Sequence, residues 1–432
     1  MFWRGILRGP RPFPWQSNEP PHSMHHRFLS VISSLALLGI VHADAADTGL
    51  IVTFNNIPDR VRHQNTDLAA ARFRVQEALG RMRQSGRREN PELELGLSGN
   101  TAFKEGGFEV GISQRFPLTN RLSLEKDISA TELKTAEAEI LEVERGLIAE
   151  ARKVLVDVLA IRQKRELEKK QSALSQDLAK FTSDAAAVGE LSPIDAGQAR
   201  LEAAKLANEI RLLDAAEAAA VGALKPLLGI KPTATLHVSG SLPPAVFPEG
   251  VINPNRRPDY QAARLNAAAA AQGVALEESR QYDDIEAGVF AALERSEDVP
   301  DGFENEGIVG LRLKIPLPLH NKNEGNIDAA KARFERRKLE AAALEKSIRH
   351  EAKTARDEMI EWDKLLRETT NTLAPLAAEQ AELAETAYRD GQGDLQSVLR
   401  AREQQLQIAL SKLEALRNFH HARVRFEAAI AE

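Results

Sequence analysis

Hydrophobic and polar residues along this chain follow two periods, and the switch between them happens twice. Leu93, Leu95 and Leu97 alternate with Glu94, Gly96 and Ser98. Lys104-Glu105-Gly106-Gly107 reads as a turn, after which Phe108, Val110 and Ile112 alternate with Glu109, Gly111 and Ser113. Period-two alternation on both sides of a Gly-rich turn predicts a β-hairpin, and arms of about ten residues have the length of tilted transmembrane strands. From residue 122 to about 187 the period becomes helical. Leu133, Ala136, Ile140, Val143, Leu147, Ala151, Val154, Val158 and Ile161 step by three and four, with Gly146 as the only Gly or Pro in the stretch. This is a coiled-coil-like seam on a helix roughly 100 Å long. Val188-Gly189-Glu190-Leu191-Ser192-Pro193 interrupts it. Ser192 as N-cap and Pro193 as first helical residue then restart a helix to about 228.

The same plan follows in the second half. Ile285, Ala287 and Val289 alternate with Glu286 and Gly288, a polar loop is expected over residues 296–306, and Val309, Leu311, Leu313, Ile315 and Leu317 alternate with Gly310, Arg312 and Lys314. A long helix is expected over about 325–388, a tip at Gly391-Gln392-Gly393, and a last helix over about 395–431. Local phrases match: Val110-Gly111 with Pro117-Leu118 answers Val309-Gly310 with Pro316-Leu317, and Asp67-Leu68-Ala69-Ala70-Ala71-Arg72 answers Asp259-Tyr260-Gln261-Ala262-Ala263-Arg264. A spacing near ~200 residues marks a duplicated half-protein, far longer than a solenoid unit of ~20–50 residues. The expected division is 1–45 as N-terminal extension and signal peptide, 46–228 as first repeat, 229–257 as a linker with five prolines, and 258–432 as second repeat. Within the repeats, the strands fall at about 92–117 and 284–318, the helical hairpins at about 122–228 and 325–431, and the tips at about 188–193 and 389–395. Each repeat opens with a helix, the first over about 65–85 and capped by Asn65 or Asp67, after an irregular stretch to about 61. One short strand is expected at 235–238 in the linker.

Composition narrows the class. The 432 residues contain no cysteine, carry a net charge of -6 and are 5% aromatic. This excludes disulfides, thiolate metal sites, cysteine nucleophiles and a cysteine lipid anchor, and leaves no basic footprint for nucleic acid. The start of the chain looks like an export signal. Met24-His25-His26-Arg27 is a basic start, residues 28–41 are apolar, and Ala43-Asp44-Ala45 is a small-x-small cleavage pattern, which makes Met24 a candidate translational start. No later stretch is long and apolar enough for a transmembrane helix. Any membrane-spanning part must therefore be β.

Two hairpins give four strands. Unpaired strand edges in lipid cost several kcal/mol per backbone group, and closed membrane barrels start at about eight strands. Hairpins in a membrane must then share a barrel with other chains, and three chains supply twelve strands. Long helical hairpins with little private core likewise need neighbours, and a ring of them encloses a tunnel.

On these features the chain resembles the outer-membrane efflux proteins of the TolC family, from about residue 61 to the C-terminus. Asn90-Pro91-Glu92-Leu93 is similar to the family's first-strand opening, Arg257-Pro258-Asp259 to the start of its second repeat, and Tyr388-x-x-Gly391 followed by Val398-Leu399-x-Ala401 to its second tip. Arg87-Arg88-Glu89-Asn90-Pro91-Glu92-Leu93 and Gln114-x-x-Pro117-Leu118 look most like the cobalt-zinc-cadmium, heavy-metal branch. The resemblance implies a mostly α protein with a small β part. It would be a homotrimer with a twelve-stranded outer-membrane barrel continuous with a coiled-coil tunnel in the periplasm. It also implies a passive exit duct serving a periplasmic adaptor and an inner-membrane pump of the RND type, with outer-membrane lipid around the barrel, no cofactor and no enzymatic chemistry.

For the tips, the resemblance implies adaptor docking at Val188, Gly189, Leu191, Ser192, Gly391 and Leu395. The bland alternative is a plain helix–turn–helix, with Gly supplying positive φ and Ser a cap. Glu190 departs from the family's tip pattern. A periplasmic gate is expected at Tyr388, Asp184, Asp195, Asp390, Asp394 and Arg400, with acidic rings exchanging salt bridges with Arg389, Arg400 or Arg402. Against it stand ordinary helix-end electrostatics for the aspartates and simple packing for Tyr388. Ser397 and Arg400 occupy positions where the family often has acidic residues, so the resemblance does not carry that acidic constriction over to this chain. His320, His420 and His421 lack metal-ligand spacing, and no metal is expected. Arg312 and Lys314 are expected to face the lumen.

Two other readings stay open. One is an exported coiled-coil scaffold without a channel. The other keeps the channel but gives it drugs or secreted polypeptides as cargo. An enzyme is disfavoured, because no nucleophile motif or phosphate loop is present.

Overall fold

The computed structural model describes residues 50–101, 104–298 and 302–431, so the expected signal segment and the candidate start at Met24 lie outside the described residues. Strand β1 (Leu50–Val52) leads into helices α1 (Ile57–Gln64) and α2 (Thr66–Gln84). The first hairpin is β2 (Glu92–Gly99) and β3 (Gly106–Phe116), followed by α3 (Arg121–Ala187) and α4 (Pro193–Leu227). The linker holds β4 (Leu236–Val238) and a 3-10 turn at Pro254–Arg256. The second half comprises α5 (Pro258–Ser279), β5 (Ile285–Asp298), β6 (Gly302–Lys314), α6 (Glu324–Glu368), a π turn at Thr369–Leu373, α7 (Ala374–Arg389) and α8 (Leu395–Ile430).

Four local expectations need correction. The stretch before residue 61 is not irregular: it contains β1 and α1. Pro58 sits in the first turn of α1, where its missing N–H costs nothing, and Ile57 and Val61 are too few to show a period. The turn ahead of β3 is shorter than expected, because Gly106 and Gly107 already pair with Gly99 and Ser98. Of the expected polar loop at 296–306, residues 299–301 lie outside the described residues and the rest is strand, with Ser296 opposite Glu304 and Glu294 opposite Glu306. Backbone pairing continues where both faces of the hairpin are polar, and alternation cannot signal it there. Finally, the long helix after residue 324 is broken by the π turn immediately before Pro375. Proline removes one backbone donor and clashes with the carbonyl four residues earlier, and a wider turn relieves both.

The sheet order is β2-β3-β5-β6, all antiparallel. Helix packing repeats that order: α2 lies on α3, α3 on α5 and α5 on α6. Each strand is joined by a short connector to its own helix, so strand neighbours become helix neighbours. Farther from the sheet, α4 replaces α2 against α3, and α8 replaces α5 between α3 and α6. The two long helices run past both levels, and the shorter ones meet end to end.

Where the short helices meet, the chain is stitched. Asn65 caps α2 by accepting from the Leu68 N–H at 2.8 Å, and its amide donates to the Leu227 carbonyl at the end of α4 at 2.9 Å. Gly229 has φ +65°, and a Cβ there would lie 2.0 Å from the Gln64 carbonyl oxygen, so only glycine fits this approach. The main core surrounds this joint, with Val52, Ile57, Val61, Leu68, Leu155, Leu159, Leu224 and Leu228 essentially inaccessible. The parallel pairing of β1 with β4 closes it. On α3 the expected seam is only partly buried: Ala151 and Val158 are inaccessible, while Leu133, Ile140, Leu147 and Ile161 stay half-buried. Leu155, Val156 and Leu159 are buried instead, because the joint surrounds α3 there. A second core packs Phe419, Phe426 and Ile430 of α8 on Ala352, Ala355 and Met359 of α6.

Candidate channel wall and tips

The register gives the four-stranded sheet two chemically distinct faces. Leu93, Leu95, Leu97, Phe108, Ile112, Val289, Leu293, Val309, Leu311 and Leu313 share one face. They are exposed, up to 84% at Leu311 and 86% at Leu97. So many bare apolar side chains on one side of a sheet form a surface made for hydrocarbon. The other face carries Glu92, Glu94, Glu109, Ser113, Arg115, Glu286, Phe290, Glu294, Glu306, Arg312 and Lys314. Arg312 and Lys314 thus stand on the face expected for them. Side chains here are the more shielded, with Ser113 5% and Ala292 7% exposed, as on the concave side of a curled sheet.

Ion pairs cross this polar face. At the helix end, Arg115 reaches Glu89 at 3.2 Å, Glu92 at 3.8 Å and Glu286 at 3.6 Å, and Lys314 reaches Glu286 at 3.6 Å. Nearer the middle, Arg312 donates to Glu94 at 2.5 Å and to Glu109 at 2.6 Å, with its guanidinium 4.9 Å from the Phe290 ring centroid. The sequence reading did not single out Glu94, Glu109 or Phe290. A usable signal was there: one aromatic among the small residues of β5, with glycines in the partner strands. β2 and β6 are the outer strands, so each leaves one edge without a partner among the described residues.

The two tips repeat one capping device. In the first, the N–H of Glu190 donates to the Ala185 carbonyl at 2.9 Å and that of Gly189 to Ala186 at 3.2 Å. In the second, Gln392 donates to Ala387 at 2.8 Å and Gly391 to Tyr388 at 3.1 Å. Both are Schellman ends, with φ +82° at Gly189 and +73° at Gly391. The next helix is capped three residues later. Ser192 accepts from Ile194 N–H at 3.1 Å, and Asp394 accepts from the Ser397 N–H and hydroxyl at 2.9 and 2.8 Å. These bonds hold the Asp394 carboxyl below its ordinary value.

The candidate docking residues divide by burial. Val188 is 72% exposed, and Gly189, Ser192 and Gly391 are also at the surface. Leu395 is 3% exposed and packs with Tyr388, Val398, Ala199 and Ala203, with Leu191 partly buried beside them. Leu395 therefore holds the tips together and offers no contact surface, which corrects its place among contact residues. Gln396 donates to Gln198 at 2.5 Å and ties the second tip to the first.

Among the candidate gate residues, Tyr388 is buried edge-to-face against Phe181, with ring centroids 6.3 Å apart. Its hydroxyl is buried with no hydrogen-bond partner among the described residues, and burial, followed by the charge of Asp195, raises its pKa. Asp184 and Asp390 are exposed, and among the described residues Asp184, Asp195, Asp390 and Arg400 form no ion pair. Arg389 and Arg402 both pair with Glu385 and not with a tip aspartate, Arg389 at 2.7 Å. His421 Nε2 lies 2.9 Å from Asp157 and His420 Nε2 2.8 Å from the Pro243 carbonyl, so both paired histidines take protein partners.

A sheet with a lipid-suited outer face and a charged inner face, continued strand by strand into helices tens of ångströms long, defines an outer-membrane channel whose wall extends into the periplasm. The chain belongs to the outer membrane efflux protein family, whose model matches residues 57–230 and 254–432. It is 22% identical over 362 residues to the cobalt-zinc-cadmium resistance protein CzcC of Cupriavidus metallidurans, covering 83% of this chain and 85% of the relative. Its fold is similar to the crystal structure of CusC, with TM-score 0.74 and 16% identity over 87% of this chain and 91% of that one. The outer membrane protein VceC of Vibrio cholerae is similar at TM-score 0.72 and 18% identity, over 87% and 95%. This is a transport protein of the outer membrane, not an enzyme.

Proposed function

We propose that three copies of this chain close a twelve-stranded barrel and a helical tunnel, and that the assembly is the exit duct of a tripartite heavy-metal efflux system. The carrying observation is the four-stranded sheet itself: among the described residues its apolar face is bare and both its edges are unpaired. Lipid tolerates neither open edges nor a barrel this small, so the sheet is completed by other copies. The outer flanks of the helices make the same demand, with Leu201 and Leu212 on α4 and Leu376 and Leu383 on α7 more than half exposed. The two repeats, 46–228 and 258–432 around the linker 229–257, form matching staves, a division supported by the identical capping of the two tips. The exposed tip residues Val188, Gly189 and Ser192 are the surface offered to a periplasmic adaptor, which links the duct to an inner-membrane pump. The metal cargo is supported by the similarity to a cobalt-zinc-cadmium resistance protein.

Mass measurement of the detergent-solubilised protein tests the assembly, with three chains expected and a stable monomer fatal to it. Metal sensitivity of a deletion strain tests the cargo. Unchanged tolerance of zinc, cobalt, cadmium, nickel and copper would remove the metal cargo and leave the channel standing.

A further inference from the structure

We propose that Arg312 is a charge clamp that sets the ion preference of the barrel lumen. The proposal rests on the reading that the polar face of the sheet lines that lumen. Arg312 stands on β6 and Glu94 on β2, the two outer strands, three strand spacings apart, or about 14 Å in a flat sheet. Their contact at 2.5 Å means that the arginine lies across the sheet and does not project into the pore. On the way it meets Glu109 of β3 at 2.6 Å.

The guanidinium is seated as well as paired. Its carbon lies 4.9 Å from the centroid of Phe290 on β5. That ring occupies space that a glycine leaves open. A Cβ at Gly310 would sit 2.5 Å from it, and one at Gly111 would sit 3.3 Å from the Phe290 Cβ. Gly310 therefore leaves the space that the phenylalanine ring fills, and the arginine is held by that ring and by two carboxylates. Guanidinium geometry suits this double grip, whereas a lysine ammonium is a point charge on a flexible stem.

The position of the clamp gives it its effect. Arg115 and Lys314 serve Glu89, Glu92 and Glu286 at the helix end of the sheet. Arg312 alone pairs with Glu94 and Glu109, and among the described residues Glu294 and Glu306, nearer the turns, have no ion pair. Among the described residues, Arg312 is thus the cation that neutralises the carboxylates in the middle of this face. Rings of charged side chains set the preference of a pore for cations or anions. Freeing Glu94 and Glu109 in every subunit makes the lumen more cation-preferring. Removing those two carboxylates instead leaves Arg312 unmatched and moves it the other way.

Reversal potentials in planar bilayers under a potassium chloride gradient test this, using the full-length assembly. R312Q is expected to raise the potassium-to-chloride permeability ratio roughly threefold or more at ~0.1 M salt, where screening extends about 10 Å. The double variant E94Q/E109Q is expected to lower it. An open pore with an unchanged ratio in either variant, or shifts in the same direction, overturns the clamp. Should R312Q fail to insert, the double variant decides alone. Absence of any conductance from the wild-type protein would instead count against the lumen reading on which the clamp depends.

Discussion

Asn65 donates a hydrogen bond to the Leu227 carbonyl at 2.9 Å, joining the start of one helix to the end of another 162 residues later. The same side chain caps α2 through Leu68, and Asn65 is 3% exposed. Asn65→Ala removes the cap and leaves the partly buried Leu227 carbonyl short of a donor, an expected loss of about 1–3 kcal/mol. Gly229→Ala, beside it, forces a Cβ onto the Gln64 carbonyl at a positive φ and is expected to cost more. Thermal melting in detergent checks both. A melting point unchanged by Asn65→Ala would mean that the joint does not depend on this stitch.

The tips separate contact from packing. Val188→Asp changes a residue that is 72% exposed and is expected to shift stability by no more than ~0.5 kcal/mol while abolishing export. Leu395→Ala empties a buried position and is expected to cost about 2–5 kcal/mol. Export assays paired with outer-membrane fractionation distinguish the two. Wild-type export by Val188→Asp would remove the first tip from the docking surface.

The two faces of the sheet predict opposite tolerance. Leu311→Arg places a charge on the hydrocarbon side and is expected to cost about 2–4 kcal/mol at mid-membrane depth, reducing the heat-resistant oligomer on gels. Glu306→Gln, on the polar face of the same strand, is expected to leave the oligomer intact. Equal behaviour of the two would contradict the assignment of faces.

Asp157 on α3 fastens α8. Burial works against its charge, yet hydrogen bonds from His421 at 2.9 Å and Arg417 at 2.7 Å hold its carboxyl below the ordinary value. A carboxylate depressed in the folded state stabilises the protein above its unfolded pKa of about 4, and that contribution fades as pH falls through the folded value. Asp157→Asn is therefore expected to cost about 1–3 kcal/mol at neutral pH, with the gap to wild type closing in acid. A gap that stayed constant from pH 7 to pH 3 would show that the charge of Asp157 contributes nothing.

Much of this was legible in the sequence because local rules and tertiary demands agree. Leu93, Leu95 and Leu97 alternate because one face meets lipid, and Ser192-Pro193 announces a helix start that the folded chain uses. Asn65 was readable as a cap, but its second bond, to Leu227, spans a distance that no local pattern encodes. The pairing of β1 with β4 escaped for the same reason, being three residues long and joined only in space. Pro375 was a visible warning of the π turn, masked by strong helical periodicity on both sides. At the polar face, the alternation of Glu94 and Glu109 was visible, but their convergence on Arg312 depends on register and curl, which only the folded sheet supplies.

The π turn also makes the two long helical stretches unequal in continuity. From Arg121 to Ala187 the first long helix is a single α-helical rod of 67 residues that starts close to the strand end at Phe116. The second rod has a soft collar at Thr369–Leu373, where the regular ladder of backbone bonds loosens by one residue. Arg389 at one end and Lys314 at the other are therefore not joined by a single unbroken α-helix. Each chain thus pairs a continuous rod with an interrupted one, and the two are fastened to each other at their far ends, where Gln396 holds Gln198.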